Sequence, residues 1–170
     1  GYTADHCERL QELSYTTGKI LGLDAIQLRH LDLGSYLHDV GKINVPLAIL
    51  NKPGKLSVEE WSVIKQHPSY GRELLHGTSL NVVGFIVEQH HERFDGSGYP
   101  YGLRGHEISI EAAIVAVADT FDAMTTNRPY RQAMNPTEAL TELHRYANVH
   151  YPIEVVQAFT TVLKERVIRH

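Results

Sequence analysis

The sequence predicts an all-α fold. Apolar residues recur at three-four spacing along most of the chain, no convincing run alternates as a strand would, and Ser57 with Glu60 forms a helix-opening capping box. The first helix runs roughly from Thr3 to Leu21, with Leu10, Leu13, Thr17 and Ile20 on one stripe; His6, four residues before Leu10, extends that inward face. A second helix covers about Asp24 to Val40, where Leu28, Leu31, Ser35 and His38 align and bring His38 inward at the helix end. Gly41 breaks it, and Pro46, Pro53 and Gly54 mark a loop. The next helix starts at Ser57, with Leu56 and Trp61 at the spacing of a hydrophobic staple. It stops near His67, because Pro68 disfavours helical geometry in the residue before it. A short helix from Ser69 to His76 follows. Asn81 to His91 aligns Val83, Val87 and His90, with Ile86 beside them, and Gly96, Gly98, Pro100, Gly102 and Gly105 then make a structured loop. Ser109 to about Thr126 is a long helix whose middle, Ala112 to Ala118, is wholly apolar and therefore buried all round. Pro136 to Ala147, with proline favourable in a first turn, and Ile153 to Arg169 close the domain.

At 170 residues the chain suits one domain with a full hydrophobic core. A net charge of −4 without a basic run argues against an extended nucleic-acid footprint. A small anionic ligand stays compatible, because bound cations reverse the local field of one pocket. The single Cys7 excludes an intrachain disulfide, fits a reducing compartment and reads as a small buried hydrophobe. No apolar stretch approaches the roughly 20 residues of a membrane helix, and no signal-peptide pattern opens the chain. With His6 almost at the start, the chain is expected to be a domain cut from a longer regulatory protein. Eleven histidines is a high count that the motifs must explain.

Asp119 follows seven apolar residues on the central helix, so its carboxylate is expected to be buried and to need a cation. An interior Arg or Lys would serve as well as a metal; several inward histidines favour the metal. His38-Asp39 alone could be a helix C-terminus with a cationic His and a solvated Asp. In the run His38-Asp39-Val40-Gly41-Lys42, however, Asp39 can bridge two ions and Lys42 can point an ammonium at the same pocket. His90 and His91 point about 100° apart on a helix and reach one ion only at its edge or where it frays. The bland alternative is two surface histidines before a loop. His6 and His67 gain weight only from their inward position; His30, His76, His106, His144, His150 and His170 read as surface or structural. Together these groups can hold two cations sharing a bridging water, a device for hydrolysing phosphate esters.

The motifs, in order, resemble a known family. His38-Asp39-Val40-Gly41-Lys42, then His90-His91-Glu92 running to Gly98-Tyr99-Pro100, then Asp119 followed by Arg128-Pro129-Tyr130-Arg131, are similar to the HD-GYP domain of the HD phosphohydrolase superfamily. The resemblance covers nearly the whole chain. It implies about seven helices around a buried metal centre and hydrolysis of cyclic di-GMP to linear pGpG, with onward cleavage to GMP in some relatives. By position it implies His6, His38, Asp39 and Asp119 as ligands of one metal and Asp39, His67, His90 and His91 as ligands of a second, with Asp39 bridging. It places Lys42 near the scissile phosphate, with a catalytic role alongside Asp39. Arg128 is expected on a ligand phosphate and Gly98, Tyr99 and Pro100 at the substrate loop. The implied cofactors are two divalent ions, iron or manganese, with zinc, nickel or cobalt acquired on purification; the absence of a thiolate set is consistent with this. Implied partners are cyclic di-GMP, sensor, receiver or GGDEF-type domains and a second copy of the chain, with no direct membrane contact. The implied setting is the bacterial cytoplasm, including the cytoplasmic part of a membrane-anchored protein.

Two positions depart from the family pattern. Relatives with a third metal carry Glu where Tyr2 stands, and a phenol, protonated at neutral pH, is a poor substitute. A dinuclear centre is therefore expected, which puts the second cleavage in doubt. Asn148-Val149-His150-Tyr151-Pro152 replaces a turn of different sequence, from which only a local loop difference is expected. The competing readings are a slow or inactive cyclic di-GMP-binding or protein-interaction module, a hydrolase of another cyclic dinucleotide or nucleotide phosphate, and a di-iron oxygenase. The last is disfavoured by the Gly-Tyr-Pro segment and Arg128.

Overall fold

The apolar run Ala112–Ala118 becomes the axis of the molecule: all seven residues are buried, as their composition requires. The structure is a computed structural model that describes residues 4–128 and 131–168. Its α-helices are α1 (Ala4–Ile20), α2 (Ala25–Leu37), α3 (Leu47–Leu50), α4 (Val58–Ile64), α5 (His67–Leu75), α6 (Asn81–Gln89), α7 (Ile110–Thr125), α8 (Pro136–Arg145) and α9 (Ile153–Ile168). Short 3-10 turns occupy Val40–Asn44 and Gly105–Glu107. The expected all-α class holds: among the described residues only isolated bridges occur outside the helices. Each helix set out from the sequence forms, the one opened at Ser57 included; α3 is a single added turn inside the segment expected as a loop.

Helix α7 packs against α1, α2, α6, α8 and α9. Leu10, Leu31, Ile114, Leu143 and Phe159 fill the main core around it, and Phe121 meets Phe159 edge to face at 5.2 Å. A smaller core joins α5 to α6 through Leu75, Val83 and Val87, with Leu33, Leu37 and Val40 packed against it. No helix among the described residues is long and apolar enough to cross a membrane.

Several boundaries fall earlier than the sequence suggests, and each shift places a site residue. Helix α2 ends at Leu37 and leaves His38 as its C-cap, after which Asp39 leads into a 3-10 turn where an open loop was expected. The capping box of Ser57 and Glu60 forms, but α4 ends at Ile64. Pro68 then sits in the first turn of α5, where its missing N–H leaves no helical bond unmade, so α5 begins at His67 and not at Ser69. Helix α6 stops at Gln89 with His90 as its C-cap. Gly41 has a further role beyond ending α2. A Cβ there would lie 1.8 Å from the His67 carbonyl oxygen and 2.5 Å from the Gly71 nitrogen, so only glycine lets the 3-10 turn lie against the start of α5.

Candidate metal centre

Three histidines reach the site from helix ends and share one local device. The ring Nδ1 of His38 lies 2.7 Å from the Ser35 carbonyl, that of His67 lies 2.7 Å from the Ile64 carbonyl, and that of His90 lies 2.6 Å from the Val87 carbonyl. Each acceptor belongs to the last turn of α2, α4 or α6, where carbonyls lack helical partners. A carbonyl only accepts, so Nδ1 carries the proton and Nε2 presents a lone pair to the centre. His6 is held differently, its Nδ1 donating to Asp122 Oδ2 at 2.6 Å.

Those lone pairs converge on two carboxylates. Asp39 turns Oδ1 towards His67 Nε2 at 2.9 Å and His90 Nε2 at 3.7 Å, and turns Oδ2 towards His38 Nε2 at 3.2 Å. Asp119 Oδ1 lies 3.7 Å from His38 Nε2 and 3.9 Å from His6 Nε2. Two donor groups result, Asp39–His67–His90–His91 and His6–His38–Asp119, each with its donor atoms within 4.8 Å of one another. All seven residues expected at the centre are thus brought together. Asp39 Oδ1, His67 Nε2 and His90 Nε2 are buried without an aligned hydrogen bond, despite the short His67–Asp39 approach. Lone pairs facing one another in a buried site repel unless a cation lies between them. The imidazole and carboxylate set therefore fits a divalent metal such as iron, manganese or zinc.

The electrostatics favour the same state. Burial pushes the Asp39 carboxyl up, but its polar surroundings, among them the Lys42 ammonium 3.0 Å from Oδ2, outweigh it and hold the group well below the usual carboxylate range. Burial also pushes His90 below the ordinary imidazole value. It drives His91 far below that value, with His90 and His67 adding to the effect. Burial pushes the Asp119 carboxyl up, but its polar surroundings outweigh this and lower it. The ligand-type nitrogens of His90 and His91 are accordingly neutral near pH 7, the form that binds a cation. Asp119 corrects the expectation of burial: its side chain is 23% exposed, although α7 returns to the core at Phe121.

The Gly98-Tyr99-Pro100 loop is stitched to the histidine pair. A Cβ on Gly98 would come within 2.4 Å of the Arg93 nitrogen and 2.5 Å of Glu92 Cα, so glycine is needed for this approach. Tyr99 donates its N–H to the His91 carbonyl at 3.2 Å and stacks on the His91 ring at 4.9 Å; Pro100 follows it through a cis peptide. Burial pushes the Tyr99 phenol up to about 12, so it faces the site protonated. Buried Glu92 accepts from the N–H groups of Tyr101 at 2.7 Å and Leu103 at 3.0 Å, closing the loop over the site. Arg128 is exposed beyond α7, exchanging backbone hydrogen bonds with Arg131 at 2.9 and 3.0 Å. Tyr2, Pro129, Tyr130 and His170 lie outside the described residues. Cys7 is half-buried, where full burial was expected, and belongs to neither donor group.

Asp122, Arg9, Glu92 and Tyr151 went unassigned in the sequence reading. Asp122 stands three residues after Asp119 on a largely apolar helix, a spacing that puts both carboxylates on one face and could have flagged it. Tyr151 Oη lies 2.9 Å from Thr120 Oγ1, and the loop before it accepts hydrogen bonds from the N–H groups of Phe94 and Asp95. The divergent turn at 147–152 therefore braces the segment that follows the histidine pair.

The HD domain family model matches residues 3–155. The chain belongs to this family, in its HD-GYP branch. It is 44% identical over 147 residues to a cyclic di-GMP phosphodiesterase response regulator, RpfG, from Xanthomonas campestris; the match covers 85% of this chain and 39% of that one. It is 38% identical over 154 residues to 3′3′-cGAMP-specific phosphodiesterase 3 from Vibrio cholerae, covering 90% of this chain and 33% of that one. Among solved structures it is similar to an HDG"Y"P protein from Bdellovibrio bacteriovorus, with a TM-score of 0.75 and 28% identity. That match covers 94% of this chain and 51% of the other. This HD-GYP chain spans less than half the length of these curated relatives.

Proposed function

We propose that this HD-GYP domain is a metal-dependent phosphodiesterase that hydrolyses cyclic di-GMP to linear pGpG at a dinuclear iron or manganese centre. One observation carries the reading: Asp39 divides its two oxygens between two histidine-rich donor groups, the arrangement a bridging carboxylate needs. His6, His38, Asp39 and Asp119 would hold one ion, and Asp39, His67, His90 and His91 the other. A bound pair of divalent ions supplies an activated water near neutral pH and offsets phosphate charge.

The chain's own groups orient and bind. Lys42 extends an ammonium from Asp39 Oδ2 to the pocket edge, where its partial exposure lets it meet a phosphate oxygen or protonate the departing 3′ oxygen. Tyr99, protonated and stacked on His91, offers a hydroxyl donor and an aromatic edge to the nucleotide. Arg128, exposed beyond α7, would supply a second phosphate contact. The test is anaerobic purification with elemental analysis, followed by incubation of the same sample with cyclic di-GMP and, separately, 3′3′-cGAMP. About two ions per chain and conversion of cyclic di-GMP to pGpG support the proposal. Release of GMP would contradict pGpG as the end product. Preferential cleavage of 3′3′-cGAMP, the reading favoured by the Vibrio relative, would replace the substrate. Tight binding without product would make the domain a sensor, and failure to hold metal would remove the mechanism.

A further inference from the structure

We propose that Asp122 is the positioning residue for His6, and that through it the His6–His38–Asp119 group takes up its cation with an affinity set independently of the group built on His67, His90 and His91. The inference rests on the metal reading above and concerns how the two ions differ.

The observation is an asymmetry one layer behind the donors. His38, His67 and His90 rest their Nδ1 protons on neutral main-chain carbonyls. His6 places its Nδ1 proton on a carboxylate, Asp122 Oδ2, at 2.6 Å. That carboxylate is nearly buried, its side chain only 7% exposed, and Arg9 fixes it with Nε at 2.8 Å from Oδ1 and a second contact of 3.4 Å to Oδ2. A carboxylate behind an imidazole pulls on the Nδ1 proton, makes Nε2 a stronger donor and locks the ring plane. A carbonyl does the second of these but little of the first.

Geometry adds a reason for the asymmetry. His38, His67 and His90 stand at helix ends, where free carbonyls are at hand. His6 stands inside α1, whose carbonyls are engaged in the helical ladder, so a side chain from α7 must orient it. The competing account makes Asp122 and Arg9 a plain tie between α1 and α7. The two accounts differ in what a substitution moves: a tie changes stability alone, whereas a positioning residue changes one ion's affinity and spares the other's.

The whole 170-residue chain, stripped of metal, would be titrated with Mn2+ by calorimetry, with electron paramagnetic resonance reporting coupled ions. The wild type should show two binding classes. In Asp122→Ala one class should weaken by about 10–100-fold and the coupled signal should fade, while the other class stays within about twofold. His6→Ala should weaken the same class, and the double variant should lose no more than the worse single one. Asp122→Asn, which keeps shape and an acceptor but drops the charge, should lie between, and it carries the test if Asp122→Ala does not fold. Equal weakening of both classes, or a lowered urea midpoint with both affinities unchanged, overturns the inference. Fewer than two ions on the wild type overturns the metal reading itself, on which the inference depends.

Discussion

Asp39 stands at the head of the 3-10 turn that holds Lys42 and lies 3.0 Å from its ammonium, yet removal of the two should have different effects. Asp39 belongs to one donor group and turns its second oxygen towards His38 of the other, so on the bridging proposal Asp39→Ala should lose both ions and all turnover; a variant that kept two ions would refute the bridging role. Lys42 belongs to neither group. Lys42→Ala should keep about the wild-type metal content and lose roughly 10²-fold in kcat, the scale of one electrostatic donor to a transition state. Elemental analysis beside steady-state kinetics checks both, and an unchanged kcat in Lys42→Ala excludes the proposed role. At this scale the sequence was readable where the chemistry is uncommon. Two histidines in succession, a His-Asp pair and a carboxylate after seven apolar residues are unusual enough to be noticed. Asp122 and Glu92 escaped because their work is to hold other groups; the spacing from Asp119 marks the face Asp122 shares but not His6, the group it holds.

At the scale of elements, the helix ends were the least legible and the most consequential. Periodicity identifies a helix body, but His38, His67 and His90 lie where it fades, and their placement depends on which carbonyl each ring finds. The contact of the 3-10 turn with α5 was invisible in sequence, because Gly41 reads as a helix breaker whether or not another backbone lies against it. Gly41→Ala should therefore do more than a surface glycine change. The added methyl meets main chain at His67 and Gly71, so the turn must shift, with an expected loss of about 2–3 kcal/mol in urea unfolding and weakened metal uptake. Retained stability with normal metal binding would show that the two segments can separate without consequence. The capping box of α4 gives a pH-dependent prediction. Contact with Lys52, followed by the Ser57 N–H, holds the Glu60 carboxyl below its ordinary value. A folded value below the unfolded one stabilises above the ordinary carboxylate range and is lost as pH falls through the depressed value. Wild type should thus resist urea better than Glu60→Gln at pH 7, and the difference should vanish on acidification; a pH-independent difference would point to packing instead.

At the scale of the molecule, the fold class was legible because α7 must be central: seven consecutive apolar residues can only be enclosed, and the remaining amphipathic helices need something to cover. What stayed hidden was how distant segments meet, since His6 and Asp122 are 116 positions apart and nothing local links them. Ion binding to the native state alone adds RT ln(1 + [L]/Kd), about 2.7 kcal/mol per site at a hundredfold excess over Kd. For a chain of this size one such site should raise Tm by roughly 5–10 °C, read by calorimetry with and without chelator. An unchanged Tm would mean that the donors do not hold an ion in the folded state.

The carbonyl anchors on His38, His67 and His90 bear on the order of events when the protein is made. Each ring is aimed by a carbonyl at a neighbouring helix end, so the receptacle is expected to be assembled by folding and filled afterwards. A chain emptied by chelator should keep its helical spectrum and regain metal at a rate proportional to added ion, with no refolding lag. The cell's choice of iron or manganese would then be settled by which ion is abundant when the finished domain meets it, and an existing population could be re-metallated as supply changes.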